Sequence, residues 1–428
     1  MASSSRIRPV ALISPKNKLI AMRKINPHDF TVARRGTSRE INRQIALNLI
    51  RAHQPVSRAD LARLMNVRRG VASLLVSELL DEALIFEGAV GEAVGRGRRP
   101  TFLYIDSRQR CVVGVDIRAS RTFIMVTDLL GHQLGVVSSF QTNRDVDVLI
   151  PELARRIRQV LSDHKEIGAC EGVGVVVPGM VDPTGGRVLH APTLAWRDVN
   201  LREPLAAATG IPVHIENSGK ACALAQLWAT RSDVVASDHS VFVSVSDGLG
   251  VGVVVDGELL RGRHNTAGEF GHVPLSIDGP RCSCGATGCW EAYVSNIATL
   301  SRYFSRDLTE AKPRGADTTT FTVEDLIARA RAGDAKALAA VNSTARYLGL
   351  GLASIINALD PARIYIGGEI TTAWSLIEPI VRSALKERTL TDFGGATEIH
   401  VVPAEEHPRL RGAVALVAAP AFAAPMVA

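Results

Sequence analysis

The sequence lacks long apolar runs and has few cysteines. None of its apolar stretches reaches the roughly 18 residues that a membrane-spanning helix needs. The first residues hold no apolar segment of the kind found in secretory signals. The chain has only six cysteines, which is typical of proteins in a reducing cytoplasm, where disulfides are rare. We therefore expect a cytoplasmic protein with no membrane contact, and its 428 residues correspond to about two to four domains.

Acidic residues are scarce at the N-terminal end. Residues 1–106 hold 18 Lys and Arg against 9 Asp and Glu, whereas the rest of the chain holds 31 against 34. This distribution is typical of a nucleic-acid-binding end joined to a nearly neutral body. Residues 1–36, in which Asp29 is the only acid, are interpreted as a basic, flexible leader. A leader alone would not explain the residues that follow it.

Residues 37–106 predict three helices followed by a hairpin. Apolar spacing predicts a helix over 38–53, with Ser38 as its N-cap. Ser57 and Asp60 form a capping-box pattern at the start of a second helix, which ends near Asn66. A third helix has the buried stripe Ala72, Leu75, Val76 and Leu79. Two strands around the turn GRGRRP (95–100) follow, and this order is that of a winged helix-turn-helix.

Two surfaces of this module are predicted to contact DNA. The exposed face of the third helix carries apolar as well as polar side chains, and Val and Leu there can contact thymine methyl groups in a major groove. A contact with another protein is the alternative. Arginines between glycines at the turn suit a minor groove, or else the turn is an interdomain linker. The candidate DNA-binding residues are Arg68, Arg69, Val71, Ser73, Leu74, Arg96, Arg98 and Arg99.

From residue 107 onward, predicted strands and helices alternate. Two strand–turn–strand units each open a longer α/β segment, and this duplication indicates the two-lobed architecture of actin-like ATPases. The uncharged segment 412–428 is interpreted as a packed helix followed by an irregular end. We place the first lobe at 107–217 together with 408–428, and the second at 218–407.

Three of the six cysteines lie within eight consecutive residues. Cys282, Cys284 and Cys289 form a C-x-C-x4-C pattern, and His272 in GEFGH stands ten residues before Cys282. Clustered cysteines in a reducing compartment favour a metal over disulfides. Three thiolates and one imidazole complete a tetrahedral Zn²⁺ site with no open position, which is the arrangement of structural zinc.

These motifs resemble the ROK family (repressors, open reading frames and sugar kinases). The resemblance covers residues 57–85, the GRGRRP turn, the G-E-x-G-H…C-x-C-G-x-x-G-C pattern and the body nearly to its end. It implies an N-terminal winged helix-turn-helix followed by a sugar-kinase-like body with zinc on the four residues named above. It also implies a sugar pocket formed by Asn217, Glu269, His272 and Glu291. The alternative is that the two glutamates only support the loop that carries Cys282, Cys284 and Cys289, which we call the metal loop.

The chain departs from the family pattern at several positions. In the N-terminal DNA-binding module, Arg68 replaces the usual helix-capping serine. Val71, Ala72 and Leu74 also differ from the family pattern, and these changes leave the operator sequence open. Thr193 stands where sugar-binding relatives often have asparagine.

Other departures affect the kinase motifs. Ser218 stands where family kinases have their catalytic base, so a proton acceptor is missing. Arg118 and Ala119 replace the glycines of the first phosphate turn, and Asp247 replaces a small hydroxyl residue in the second. Side chains at the first turn and a carboxylate at the second oppose ATP phosphates. The resemblance therefore implies a protein that is not an enzyme.

The sequence thus predicts a sugar-responsive transcriptional regulator, a repressor of genes for carbohydrate uptake or metabolism. The predicted partners are double-stranded operator DNA and a sugar or sugar derivative. The protein is expected to act as a homodimer or homotetramer, because one recognition helix reads too few bases alone. Two alternatives are an active ATP-dependent sugar kinase with an added DNA-binding head, and a regulator controlled by a transporter protein as its partner.

Overall fold

The computed structural model describes residues 37–90, 100–107, 109–164, 168–229, 239–308 and 321–422. The predicted leader, residues 1–36, and the three arginines of the GRGRRP turn lie outside these residues. In the described part of the chain, no helix is both long and apolar enough to cross a membrane.

The N-terminal part, which we call the head, contains three helices and a small antiparallel sheet of strand order β1-β3-β2. This arrangement is consistent with the predicted helix-turn-helix. The elements are α1 (Thr37–His53), β1 (Val56–Ser57), α2 (Arg58–Leu64), α3 (Arg69–Asp81), β2 (Ile85–Val90) and β3 (Thr101–Ile105).

Local sequence signals account for most of the head. The Ser57–Asp60 capping box is present at the start of α2, as predicted, and Asn66 after α2 has a left-handed backbone, with φ of 53°. All four residues of the predicted stripe of α3 are buried. One prediction is wrong: α1 begins at Thr37, so Ser38 already has helical backbone and stands inside the first turn, not at the N-cap.

The first lobe is built on a five-stranded sheet of order β11-β7-β4-β5-β6. Its central strands, β4 and β7, pair in parallel and are rich in buried valine, as expected of strands that are covered on both faces. A second, three-stranded sheet has the order β10-β9-β8. The elements are β4 (Arg110–Ile117), β5 (Arg121–Asp128), β6 (Gln133–Gln141), α4 (Val146–Asp163), β7 (Ala169–Val177), β8 (Met180–Asp182), β9 (Arg187–Ala191), β10 (Trp196–Asn200), α5 (Arg202–Thr209) and β11 (Val213–Asn217).

The second lobe repeats this plan with a five-stranded sheet of order β14-β13-β12-β15-β16. The predicted mixed α/β architecture of the body is therefore confirmed. The elements are β12 (Ser240–Val245), β13 (Leu249–Val255), β14 (Glu258–Leu259), α7 (Glu291–Val294), α8 (Asn296–Phe304), α9 (Val323–Arg331), α10 (Ala335–Leu359), β15 (Arg363–Gly367), α11 (Trp374–Lys386), α12 (Asp392–Gly395) and β16 (Glu398–Val401).

Two further helices lie between the lobes. They are α6 (Ser218–Ala229) and α13 (Pro408–Phe422), which contains the packed helix predicted near the C-terminus. They pack against each other, while α13 also contacts β4 and β7, and α6 also contacts β13. Their backbones approach closely because Gly412 has no side chain: a Cβ there would lie 2.1 Å from the carbonyl oxygen of Ala221. Through β13, α6 contacts the second lobe as well as the first.

Candidate functional site

The four predicted metal ligands meet in one cluster. His272, Cys282, Cys284 and Cys289 place one ligand atom each within 4.8 Å of all the others. Cys282 Sγ lies 3.7 Å from His272 Nδ1, and Cys284 Sγ lies 3.8 Å from Cys289 Sγ. Atoms bound to a common tetrahedral Zn²⁺ at about 2.3 Å are themselves separated by about 3.8 Å. The donor set and its spacing therefore fit a metal ion.

The protein around the cluster fixes the loop that carries it. His272 lies in a 3₁₀ turn, Phe270–His272, that follows β14. At the other end, Trp290 comes directly after Cys289, is buried, and donates from Nε1 to the carbonyl oxygen of Tyr347 on α10 at 2.9 Å. Burial raises the pKa of the Cys282 and Cys289 thiols. These thiols would hold their protons without a cation, and a bound metal ion would displace them.

The four predicted sugar-binding residues line one cleft between the lobes. Asn217, Glu269, His272 and Glu291 share its wall with Thr193 and Ser218. The empty space among the residues of the cleft is about 720 Å³ when the open solvent at its mouth is counted. Sequence reasoning thus identified residues that the fold brings together from three separate parts of the chain. Their role as sugar ligands stays a prediction.

Two of these residues, Asn217 and Glu291, already form hydrogen bonds with other groups of the protein. Asn217 donates to the carbonyl oxygen of Gly179 at 2.7 Å, and its Oδ1 accepts from the amides of Gly219 and Lys220. Glu291 accepts from the Leu249 amide and the Ser283 hydroxyl, both at 2.9 Å. Asn217 therefore caps α6, and Glu291 ties the metal loop to β13.

Glu269 has the environment of a ligand-binding carboxylate. Burial raises its pKa, while the nearby charges of Lys220 and His272 oppose that rise. Lys220 Nζ lies 3.8 Å from Glu269 Oε1. Glu269 is only partly buried, with 25% of its side chain exposed. A partly desolvated carboxylate beside a cation is a good acceptor for hydroxyl groups, because hydrogen bonds to a charged group are stronger than those between neutral groups.

Sequence reasoning missed the network behind Glu269. Lys220 is only 1% exposed and donates to the carbonyl oxygen of Asn265 at 2.9 Å. Asn265 in turn donates to Glu216 Oε1 at 3.2 Å, and Arg261 forms an ion pair with Glu216. The pKa of Lys220 is lowered, chiefly by burial. The sequence did contain a signal for this network. Helix α6 begins directly after Glu216 and Asn217, and Lys220 stands in its first turn.

Arg118 bridges the two lobes at the predicted first phosphate turn. Its Nε donates to Asp116 Oδ2 at 2.7 Å in the first lobe, and its Nη1 donates to Glu369 Oε1 at 3.1 Å in the second. Arg409 Nε lies 3.0 Å from Asp116 Oδ1. Asn296 donates to Glu369 Oε2 at 3.0 Å. The guanidinium groups of Arg118 and Arg409 are thus already paired with protein carboxylates. A phosphate group would have to compete with those carboxylates for them.

Asp247 at the second turn is expected to destabilise the folded state at neutral pH. Burial, and then the charge of Glu369, raise its pKa above 3.8. Stability that comes from the protonated form is present below the unfolded pKa and is lost as the pH rises through the higher folded pKa. Asp247→Asn should therefore raise Tm at neutral pH, and the gain should shrink as the pH falls towards about 4.

Thermal unfolding between about pH 4 and pH 8 would measure this difference. The matched control is Asp256→Asn, because Asp256 is exposed on the turn after β13 and its replacement should leave Tm unchanged. A gain for Asp247→Asn that is equal at every pH would contradict the assignment of the effect to ionisation.

The predicted DNA-contacting face of α3 is open to solvent. Val71 is 42% and Leu74 is 54% exposed, and Arg69 is also exposed. Arg68 precedes the helix without forming a side-chain cap. Within the described residues, no ion pair is recorded for Arg68 or Arg69, whereas Arg39, Arg43 and Arg58 pair with Glu78, Glu82 and Glu87. Arg96, Arg98 and Arg99 lie outside the described residues.

Comparison with known proteins places the chain in a family. The sequence pattern of the ROK family matches residues 112–419. The chain belongs to the ROK family. A relative named as a putative xylose repressor from Caldicellulosiruptor sp. (strain Rt8B.4) is 28% identical over 405 residues, which are 90% of this chain and 98% of the relative.

Two solved ROK structures extend the comparison. A ROK family transcriptional regulator, a homolog of the E. coli MLC protein, is 28% identical with a TM-score of 0.73, and the match covers 90% of this chain and 97% of that one. A ROK family glucokinase from Streptomyces griseus in complex with glucose and AMPPNP is 26% identical with a TM-score of 0.61. That match covers 72% of this chain and 99% of the glucokinase. The body therefore has the actin-like sugar-kinase fold of the ROK family.

Proposed function

We propose that the protein is a sugar-responsive transcriptional repressor that binds double-stranded operator DNA. The observation that carries this proposal is the extent of the two structural matches. The regulator matches 90% of the chain, whereas the glucokinase matches 72%. A head joined to a ROK body is thus a property that the chain shares with a regulator and with a relative named as a repressor.

The head is proposed to be a winged helix-turn-helix, with α3 as the recognition helix. Its exposed face combines Arg68 and Arg69, which have no recorded ion pair in the described part of the chain, with Val71, Ser73 and Leu74. Arginine can bind guanine edges, and the apolar side chains can contact thymine methyl groups. Arg96, Arg98 and Arg99 are proposed to enter the adjacent minor groove. Because one such helix reads few bases, we propose a homodimer or homotetramer as the DNA-binding form.

The interlobe cleft is proposed to bind a neutral sugar. Its carboxylate and amide groups, on Asn217, Glu269 and Glu291, accept or donate hydrogen bonds as sugar hydroxyls require. The cluster of His272 and three cysteines is proposed to hold a structural Zn²⁺, since all four positions of a tetrahedral site come from the protein. Such an ion would fix the imidazole of His272 at the cleft wall, and the ring's other nitrogen could then meet a ligand.

Three features of the cleft support a protein without kinase activity. Ser218 offers a hydroxyl where a kinase needs a proton acceptor. Arg118 is already held by Asp116 and Glu369 in the region where ATP phosphates would bind. Asp247 adds a carboxylate to the same region, which would repel the phosphates.

The DNA-binding proposal is tested with variants of α3. Arg69→Ala and Ser73→Ala should weaken specific binding by about 10-fold each, because every good base contact contributes about 1–3 kcal/mol. Binding to a duplex selected by the wild-type protein from a random pool would be measured by fluorescence anisotropy at fixed salt. Arg155→Ala on α4, an exposed arginine paired with Glu152 in the body, is the control. Equal affinities for all variants would refute the assignment of α3.

An active sugar kinase is the second candidate, and the similarity to a glucokinase over 72% of the chain favours it. A coupled assay with ATP and a panel of hexoses and pentoses separates the two functions. The repressor proposal predicts no phosphate transfer above the rate without protein. Turnover that is lost in Glu269→Ala would establish the kinase instead.

A further inference from the structure

Two helices each run from the sugar cleft to the head. Helix α6 begins at Ser218, directly after the capping residue Asn217, and its last turn carries Trp228. Helix α13 has Arg409, which lines the cleft, in its first turn and Phe422 at its end. With 12 and 15 residues, they span about 18 Å and about 22 Å. One end of each helix therefore lies at the cleft.

The opposite ends of both helices contact α1 of the head. The guanidinium carbon of Arg51 lies 3.3 Å from the ring centre of Trp228 and 5.0 Å from that of Phe422. Arg51 also donates from Nη2 to the carbonyl oxygen of Trp228 at 2.9 Å. Gln44 and Asn48 donate to the carbonyl oxygens of Ala421 and Phe422, at 2.8 and 2.6 Å. Arg51 is thus bound to α6 and α13 at once.

The head and the body also share one apolar core. Leu47 and Ile50 of α1 belong to the same buried cluster as Leu410, Val414 and Phe422 of α13. A head that packs in this way follows the helices it rests on, because close-packed interiors transmit displacement instead of absorbing it.

The two helices are attached to different parts of the body. Helix α13 packs on β4 and β7 of the first lobe, whereas α6 also packs on β13 of the second. The contact with β13 is tight: a Cβ at Gly219 would lie 2.6 Å from the backbone nitrogen of Val251. A change in the angle between the lobes would therefore act on α6 from both lobes, and it would act on α13 through β4 and β7 of the first lobe and through its contact with α6. Any difference between the two responses would change the separation of Trp228 and Phe422.

We propose that α6 and α13 transmit sugar binding to the head, and that Arg51 is the positioning residue that couples the head to both helices. This inference rests on the proposed function. A sugar bonded to Asn217 and Glu269 favours one lobe angle, which sets the relative position of Trp228 and Phe422. Arg51 holds both rings, so α1 turns with them. A ligand changes DNA affinity only as far as it prefers one of the two arrangements.

The experiment measures DNA affinity with and without sugar in the full chain. The probes are D-xylose, D-glucose and N-acetyl-D-glucosamine, and the sugar that raises wild-type Tm most is used at saturation. The DNA is a duplex selected by the wild-type protein from a random pool. The quantity compared is the ratio of the Kd for DNA with sugar to the Kd without it. In the wild-type protein the two values should differ by about 5- to 150-fold, whereas in Arg51→Ala the ratio should be near one. Calorimetry should give the same sugar affinity for both proteins.

Two further variants separate coupling from a merely structural role. Arg51→Lys keeps a cation over Trp228 and should restore part of the ratio, whereas loss of packing alone would change DNA affinity equally with and without sugar. Arg43→Ala is the control on the same helix, since Arg43 pairs with Glu82 inside the head, and it should keep the wild-type ratio. If Arg51→Ala does not fold, Asn48→Ala replaces it, with the same expectation of a reduced ratio.

The possible failures are distinct. If none of the three sugars raises wild-type Tm, or if the bound sugar leaves the DNA affinity of the wild-type protein unchanged, the proposed function fails and this inference falls with it. If the wild-type protein responds to sugar and Arg51→Ala responds by the same ratio, the proposed function stands and the coupling role of Arg51 is overturned.

Discussion

Replacing Cys284 by serine is expected to abolish metal binding and to destabilise the second lobe. Cys284 Sγ is one of four atoms that lie within 4.8 Å of one another, and serine does not supply a thiolate. Binding of structural Zn²⁺ contributes about 10 kcal/mol or more in small zinc domains, so even partial loss should lower Tm by about 10 °C. Atomic absorption should find about one zinc per wild-type chain and almost none in the variant.

The matched control for this prediction is Cys170→Ser. Cys170 lies on β7 of the first lobe, outside the cluster, and is also a free cysteine. Its replacement should leave the zinc content at the wild-type level. Full zinc occupancy in Cys284→Ser would show that this residue is not a ligand, and a metal other than zinc in the wild-type protein would correct the identity of the ion.

Glu269→Gln should weaken sugar binding by about 100-fold, since a hydrogen bond to a charged group contributes about 1.5–3 kcal/mol. Glu269 lies in the cleft beside the buried Lys220, and burial raises its pKa. An amide has one carbonyl acceptor in place of two carboxylate oxygens and leaves Lys220 with less compensation. Calorimetry with the sugar that most stabilises the wild-type protein would measure the loss.

A second glutamate provides the control for Glu269. Glu324 is exposed on α9 and lines a hollow that contains Arg118 but none of the four sugar candidates. Glu324→Gln should bind the same sugar with wild-type affinity. If Glu269→Gln also binds with unchanged affinity, and its Tm shows it to be folded, the cleft wall at Glu269 is not the sugar site. The glutamate would then serve only to support the metal loop.

The head and the metal loop were predictable because their signals are local. Ser57 and Asp60 are three residues apart, so the capping box depends on neither distant packing nor lobe geometry. Cys282, Cys284 and Cys289 are similarly close along the chain, and thiolates so near one another require a cation. Within the described residues of the head, the start of α1 was placed wrongly, by one residue.

The charge networks of the cleft could not be predicted in the same way. Arg118 was expected to obstruct a phosphate turn, but its partner Glu369 lies in the other lobe, and no local pattern relates them. The burial of Lys220 was not predicted, because a lysine in the first turn of a helix is usually exposed to solvent. Its burial follows from the packing of α6 between two lobes, which is a property of the assembled fold.

The sequence by itself determined the family, the order of head and body, the four clustered residues that could hold a metal ion and the set of residues at the cleft. Each of these follows from residue types at short or fixed spacings, which local chemistry restricts. Only the tertiary structure decided that Arg118 joins the lobes, that Lys220 is buried behind Glu269, and that Arg51 contacts the ends of both α6 and α13. Those contacts join residues far apart in the chain, and their geometry exists only once the sheets and helices have packed.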